Sequence, residues 1–276
     1  MFNLKEQNLQ SYFSKLSLAQ RFAPVTETII NTIPTNPSVL SQNSIKVLSW
    51  NIAKNNYDPN WIRDFLSIVD RHQPDKIFLQ EVRLCARTRE IPELKEMGWS
   101  FAPNFMDTWE QTYSGVIIAT RAELLNSKAL ITKHSEPITK TPKVSLFTEY
   151  SLSNSFGSLL AVNTHLINFV ELSKFQAQLQ EIETVISSHQ GAVILSGDFN
   201  TWNYNRWRLL SQMAKRLDLT PVSFSPQDMD KIKSFWLSPP LDYIFYRGLN
   251  QKQFSAKVID NISSSDHNPL LVEFCC

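Results

Sequence analysis

Residues 192–200 read AVILSGDFN: a short apolar strand, then a glycine, then Asp198 and Asn200 where the strand ends. Taken alone, Asp198-Phe199-Asn200 also reads as a helix start ahead of Tyr204 and Trp207. The same arrangement recurs along the chain. Asn51 ends IKVLSWN, Glu81 ends DKIFLQE and His165 ends LLAVNTH. Asp242 opens LDYIFY, and Asp266 with His267 precedes the last strand in SSSDHNPLLVEF. Each residue singly has a plainer reading as a turn, a cap or a half-buried histidine. Together they describe strand ends that converge on one edge, where a rigid scaffold can hold a catalytic set.

Around these motifs the sequence predicts strands at 45–50, 75–80, 99–103, 114–120, 144–152, 158–164, 192–197, 242–246 and 270–274. Helices are expected at 59–72, 90–97, 171–188 and 205–216. The link from Leu152 to Ser158 is too short for a crossover helix, which favours mixed, largely antiparallel sheets over a doubly wound parallel one. Leu4, Leu9, Phe13, Leu16 and Phe22 give residues 1–23 the spacing of an amphipathic helix. Residues 31–44, rich in Asn, Ser, Thr and Pro, read as a linker or an extended surface stretch. The expected division is an appendage at 1–43 that packs on a single domain at 44–276.

Composition narrows the function classes. Of 276 residues, only 6 are Gly, and no phosphate loop or dinucleotide fingerprint is present. The net charge of +1 argues against a tight binder of duplex DNA, which depends on a basic surface, but a local basic rim is enough for a nuclease. Cys85, Cys275 and Cys276 show no metal-ligand spacing. No secretory signal or membrane-length apolar run is visible, so a cytoplasmic protein is expected. No protein partner is deducible.

The stretches SWN at 49–51, LQE at 79–81, NTHL at 163–166, GDFN at 197–200, LDYIF at 241–245 and SDHNPL at 265–270 occur in a fixed order. In that order they resemble the endonuclease/exonuclease/phosphatase superfamily, which includes pancreatic deoxyribonuclease, apurinic endonucleases, sphingomyelinases and inositol-polyphosphate phosphatases. The longer stretches TPKVSLFTEY, GDFNTW, LDYIFYRG and SSDHNPLLVEF look like a bacterial branch of it. Residues 1–43 lie outside the resemblance. It implies an α/β fold of the α+β type: a four-layer sandwich of two mixed sheets packed face to face, with helices outside.

The resemblance also implies roles. Glu81 and Asp266 are hard oxygen ligands suited to Mg²⁺ or Mn²⁺, with neutral Asn51 orienting a carboxylate or water beside them. Asp198 would hold and deprotonate the attacking water. Asn200 and His267 would donate to phosphoryl oxygens, with Asp242 orienting the His267 ring. His165 would assist the departing oxygen. Arg83, Lys140, Lys143, Trp202 and Arg206 are candidate substrate contacts. Lys231, Lys233, Phe235 and Trp236 precede LDYIF and border the expected groove. The implied activity is phosphoester hydrolysis, with DNA or RNA the leading substrate. A phosphatase or phospholipid phosphodiesterase is the alternative, and an inactive scaffold a distant third.

Overall fold

The computed structural model describes residues 21–25, 28–153 and 157–276. Its elements, in chain order, begin with β1 (Phe22–Ala23), β2 (Ile30–Asn31), β3 (Ile45–Asn51), α1 (Pro59–His72), β4 (Lys76–Cys85), β5 (Gly98–Asp107) and β6 (Thr112–Thr120). There follow β7 (Leu124–Ile131), β8 (Val144–Ser151), β9 (Ser158–His165), α2 (Leu172–Ser187), β10 (Ala192–Asp198) and α3 (Tyr204–Arg216). The last are β11 (Thr220–Pro221), α4 (Pro226–Met229), β12 (Asp242–Arg247), β13 (Asn250–Gln251), β14 (Lys257–Val258) and β15 (Leu270–Cys275).

One sheet runs β1-β5-β6-β4-β3-β15-β13, with β2 on β5 and β14 on β15; the other runs β11-β12-β10-β9-β8-β7. Only β3/β4 and β9/β10 pair in parallel. The central strands are buried on both faces, so their sequences are nearly continuous apolar runs rather than alternations. Parity along each strand sorts the side chains. Val47, Leu159, Ala161, Ile194 and Ile244 fill the layer between the sheets. Leu48, Trp50 and Leu79 pack outward against Trp61 and Phe65 of α1. Val162, Val193 and Leu195 pack outward against Phe175 of α2 and Leu210 of α3. Helix, sheet, sheet, helix is the expected four-layer order.

Helix α1 is bounded by local chemistry. The Asp58 side chain accepts from the Asn60 N–H, Pro59 occupies the first turn, and Gln73 closes the helix in a left-handed conformation. The helix expected at 90–97 is reduced to a single 3-10 turn at Pro92–Leu94. The N-terminal helix expected over 1–23 lies, up to residue 20, outside the described residues. At its end Phe22 and Ala23 are instead an edge strand on β5. Residues 31–44 are tied to the domain: Leu40 is buried in the inter-sheet core, and Cys276 donates its N–H to the Gln42 carbonyl. Strand β7 was not expected, because as an edge strand it carries exposed polar residues that break the apolar pattern.

One buried group is at odds with its surroundings. Lys76 shares the inward face of β4 with Phe78, is fully buried, and places Nζ 3.1 Å above the Tyr150 ring centroid with no hydrogen-bond partner among the described residues. Burial drives its pKa well below that of an ordinary lysine. The unfolded chain therefore binds a proton that the folded chain lacks, so stability rises with pH until the free lysine itself titrates, near 10.5. Lys76→Met keeps the shape and removes that penalty. It is expected to stabilise the fold by about 1–3 kcal/mol at pH 7, with the gain shrinking as pH approaches that value. Thermal melts of both proteins across that range check this; an unchanged or lower Tm at pH 7 contradicts it.

Candidate active site

The parity that fills the inter-sheet layer also delivers its polar ends to one place. On β10, Ile194 and Ser196 point inward and Asp198 is next in line; on β3, Val47 and Ser49 point inward and Asn51 is next. Ser196 Oγ donates to Ser49 Oγ across the sheets at 2.7 Å. One step further out, Asn51 Nδ2 donates to Asp198 Oδ2 at 2.9 Å. The other Asp198 oxygen accepts from the Asn200 N–H at 2.9 Å. Gly197, at φ +151°, is required here, because an added Cβ would lie 1.9 Å from the Thr164 carbonyl of β9.

Strand β9 ends on the same layer, with His165 buried and its Nε2 3.6 Å from Asp198 Oδ2 and 3.9 Å from Glu81 Oε1. Glu81 reaches this position through a bulge: β4 loses register with β6 between Leu79 and Val82, and Glu81 takes φ +57°. Asn200 (φ +49°), Ala53 (+48°) and Lys54 (+64°) are likewise left-handed, a conformation that costs non-glycine residues about 1–3 kcal/mol each. On the far side His267 Nδ1 meets Asp242 Oδ2 at 2.7 Å, both buried. The Trp50 indole N–H donates to the His267 carbonyl at 2.8 Å.

Charge in the site is uneven. Burial, helped by the Lys143, His267 and Lys54 charges, holds His165 well below the ordinary imidazole range, so it is neutral. Burial opposes the His267 imidazolium, but Asp242, Asp198 and Asp266 outweigh it and carry the pKa up to about 10. Burial and then the neighbouring Asp242 push Asp198 up to about 7. Among the described residues, no Lys or Arg lies within ion-pair distance of Glu81 or Asp198. Two carboxylates facing a neutral imidazole, with no Lys or Arg paired to either, suit a hard divalent cation.

Asp198, Asp242 and His267 offer ligand atoms within 4.8 Å of one another. That trio is a poorer cation cage, because His267 Nδ1 is engaged by Asp242 and the imidazolium repels a metal. Asp266 stands at the rim, largely exposed, with its carboxylate 3.3 Å from Lys233 Nζ.

The profile of the Endonuclease/Exonuclease/phosphatase family matches residues 48–267, a span that holds the whole cluster. This chain belongs to that family. A UPF0294 protein of Vibrio parahaemolyticus is 31% identical over 91% of this chain and 93% of its own length. Among solved structures, an endonuclease/exonuclease/phosphatase from Beutenbergia cavernae superposes with a TM-score of 0.66 at 14% identity, covering 84% of this chain and 72% of that one. TDP2 from D. rerio, complexed with a single-strand DNA product, does so with a TM-score of 0.58 at 16% identity, covering 84% and 99%.

Within this family member, two residues of the quoted motifs carry positions that the sequence reading did not assign. Asn163, two residues before His165, donates to the carbonyls of Leu79 (2.9 Å) and Ile117 (2.7 Å) and accepts from Gln80 Nε2 (2.7 Å). The bulge that aims Glu81 is thus satisfied from the opposite sheet. The Ile52 and Lys54 N–H groups bind its other side through the Gln80 and Glu81 carbonyls, each at 3.0 Å. The signal was the NT of NTHL: a polar pair inside an apolar strand needs buried partners.

Arg206 requires correction. It is almost fully buried and donates to the carbonyls of Ile167, Asn200 and Val170, with its guanidinium over the Phe175 and Trp202 rings. It therefore cannot reach a substrate phosphate; it holds the loop that carries Asn200. Trp202 lies beneath it, with Nε1 bound to Asn168 Oδ1. Arg83 is taken by Glu110 and lies over Tyr57, while Lys143 is 3.4 Å from Glu136 at the edge of the site. Lys140 lines a neighbouring cavity with Pro24 and Ile131. Trp207 lies edge-on to Tyr204 on the same helix and stays 40% exposed. No helix among the described residues is long and apolar enough to cross a membrane.

Proposed function

We propose that this protein hydrolyses phosphodiesters of nucleic acid, DNA or RNA, with Mg²⁺ or Mn²⁺, by in-line attack of water. The observation that carries the reading is Asp198: a buried carboxylate fixed through both oxygens by Asn51 and Asn200, facing His165, with the His267–Asp242 pair beyond it. A carboxylate with a pKa near 7 is poised to accept a proton from water at neutral pH. His267, kept protonated by Asp242, donates through Nε2 to a phosphoryl oxygen as negative charge builds there. Asn200 uses one amide hydrogen on the Leu166 carbonyl and keeps the other for the phosphoryl group.

His165 stands beside the departing oxygen. A divalent ion held at Glu81, with Asn51 beside Asp198 and Asp266 at the rim as further candidate ligands, would neutralise charge on the phosphoryl group. The free thiols Cys85, Cys275 and Cys276 accord with action in the cytoplasm.

Nucleic acid as substrate draws support from the likeness to a DNA-bound relative. With Arg83, Lys143 and Arg206 engaged, Lys54 and Lys140 are the cavity-lining lysines beside the site that have no carboxylate partner among the described residues. Two phosphate contacts imply a salt slope of about −1.4 to −1.8, so affinity falls gently with salt. A second reading, a phospholipid phosphodiesterase, is favoured by one feature: Phe235 (52% exposed), Trp236 (92%) and Leu237 (75%) project together from the turn before β12. Hydrolysis of single-stranded DNA, RNA, plasmid DNA, a phosphoinositide and sphingomyelin over a salt series separates the two. Nucleic-acid turnover with that shallow slope is expected; lipid turnover without cleavage of any nucleic acid overturns the leading reading.

A further inference from the structure

A small cavity of about 50 Å³ opens directly beside the catalytic cluster, sharing Glu81 and His165 as one wall. By volume it holds roughly four waters. Phe22, which precedes the family-matched span, also lines it and packs edge-on against Phe105 with ring centroids 5.0 Å apart. Strand β1 is pinned there by Arg21, whose guanidinium donates to Asp107 at 2.6 and 2.8 Å. Strand β1 therefore contributes to the lining of this cavity.

Lys54 lines the cavity without a carboxylate partner among the described residues, its Nζ 5.6 Å from the centroid of the Phe105 ring. Its backbone is held left-handed at φ +64°, and its N–H donates to the Glu81 carbonyl at 3.0 Å. The left-handed turn places Lys54 on the cavity lining with Glu81, while its side chain stays exposed. The one other acidic group in the cavity besides Glu81 is Glu136. It is paired with Lys143 at 3.4 Å and accepts from the Asn168 N–H at 3.0 Å.

We propose that Lys54 and the cavity that Phe22 helps to line form a subsite for a second, non-scissile phosphate of the substrate. This rests on the phosphoester-hydrolase reading and adds a specificity to it: esters carrying a neighbouring phosphate are preferred to those carrying only the scissile one. A nucleic-acid strand and a phosphorylated inositol both supply such a group.

Two matched pairs of substrates test it. The first is thymidine 5′-(p-nitrophenyl phosphate) with and without a 3′-phosphate; the second is glycerophosphoinositol with and without a 4-phosphate. With wild type, the two-phosphate member has the lower KM in the pair that matches the natural substrate. Lys54→Met raises that KM by about tenfold relative to its one-phosphate partner, with kcat for the two-phosphate ester within about twofold, and Lys54→Arg restores the preference. Phe22→Ala weakens the preference in the same direction. The loss appearing only in the inositol pair sustains the subsite while defeating the nucleic-acid reading. An equal effect of Lys54→Met on both members of every hydrolysed pair overturns the subsite and leaves the hydrolase reading standing.

Discussion

Asp198→Asn is expected to lower kcat on the best substrate by about 10³-fold or more while leaving the fold intact or more stable. The substitution keeps size and shape, and the amide oxygen can still accept from Asn51 Nδ2 or the Asn200 N–H. What it removes is the one group placed to take a proton from the attacking water. It also removes a buried charge that no Lys or Arg among the described residues balances, so Tm is expected to hold or rise. Steady-state kinetics and a thermal melt of the same preparation check both halves. Near-wild-type turnover would remove Asp198 from the chemistry, and a large fall in Tm would make it a structural residue.

His267→Ala is expected to cost a similar factor in turnover, about 10³-fold, but with the opposite effect on stability. Its Nδ1 is the partner of buried Asp242 at 2.7 Å, and removing it strands a carboxylate in a low-dielectric layer. Breaking a buried pair from one side costs about 3–5 kcal/mol. Adding Asp242→Asn to His267→Ala relieves that charge, so the double variant regains stability and none of the turnover. If the double variant recovers activity along with stability, His267 acts only through packing and its role toward the phosphoryl group is wrong.

The contrast between these two aspartates shows what was legible in the sequence. Both stand at strand ends, and both were singled out, because an acidic residue closing an apolar run is visible as a pattern. Strand period then places them: two-residue alternation carries Asp198, His165 and Asp242 to the inward face with Ile194, Ala161 and Ile244. The ordered motifs indicated the sandwich and the convergence of its strand ends. The path to Glu81 could not be read, because it depends on a bulge that breaks that alternation and on Asn163 from the other sheet.

Long side chains were legible as types and not as destinations. Arg206 follows the GDFN motif as a phosphate-binding arginine would, yet its guanidinium is consumed by three carbonyls of the loops it ties together. Lys54 was passed over because nothing in IAKNN marks it; a left-handed backbone and a cavity wall exist only in three dimensions. Phe22 was assigned to a helix by its spacing and is a strand residue, since pairing with β5 outweighs local periodicity at the chain's edge.

Turnover of bis(p-nitrophenyl) phosphate by metal-stripped wild-type protein, followed as Mg²⁺ or Mn²⁺ is added back, tests the central claim most directly. Glu81 and Asp198 face a neutral imidazole and have no Lys or Arg within ion-pair distance among the described residues, a centre expected to need a divalent ion to bind and hydrolyse an anionic ester. The expected result is no hydrolysis in EDTA and saturable recovery as the metal is restored. Undiminished hydrolysis in excess chelator would contradict it.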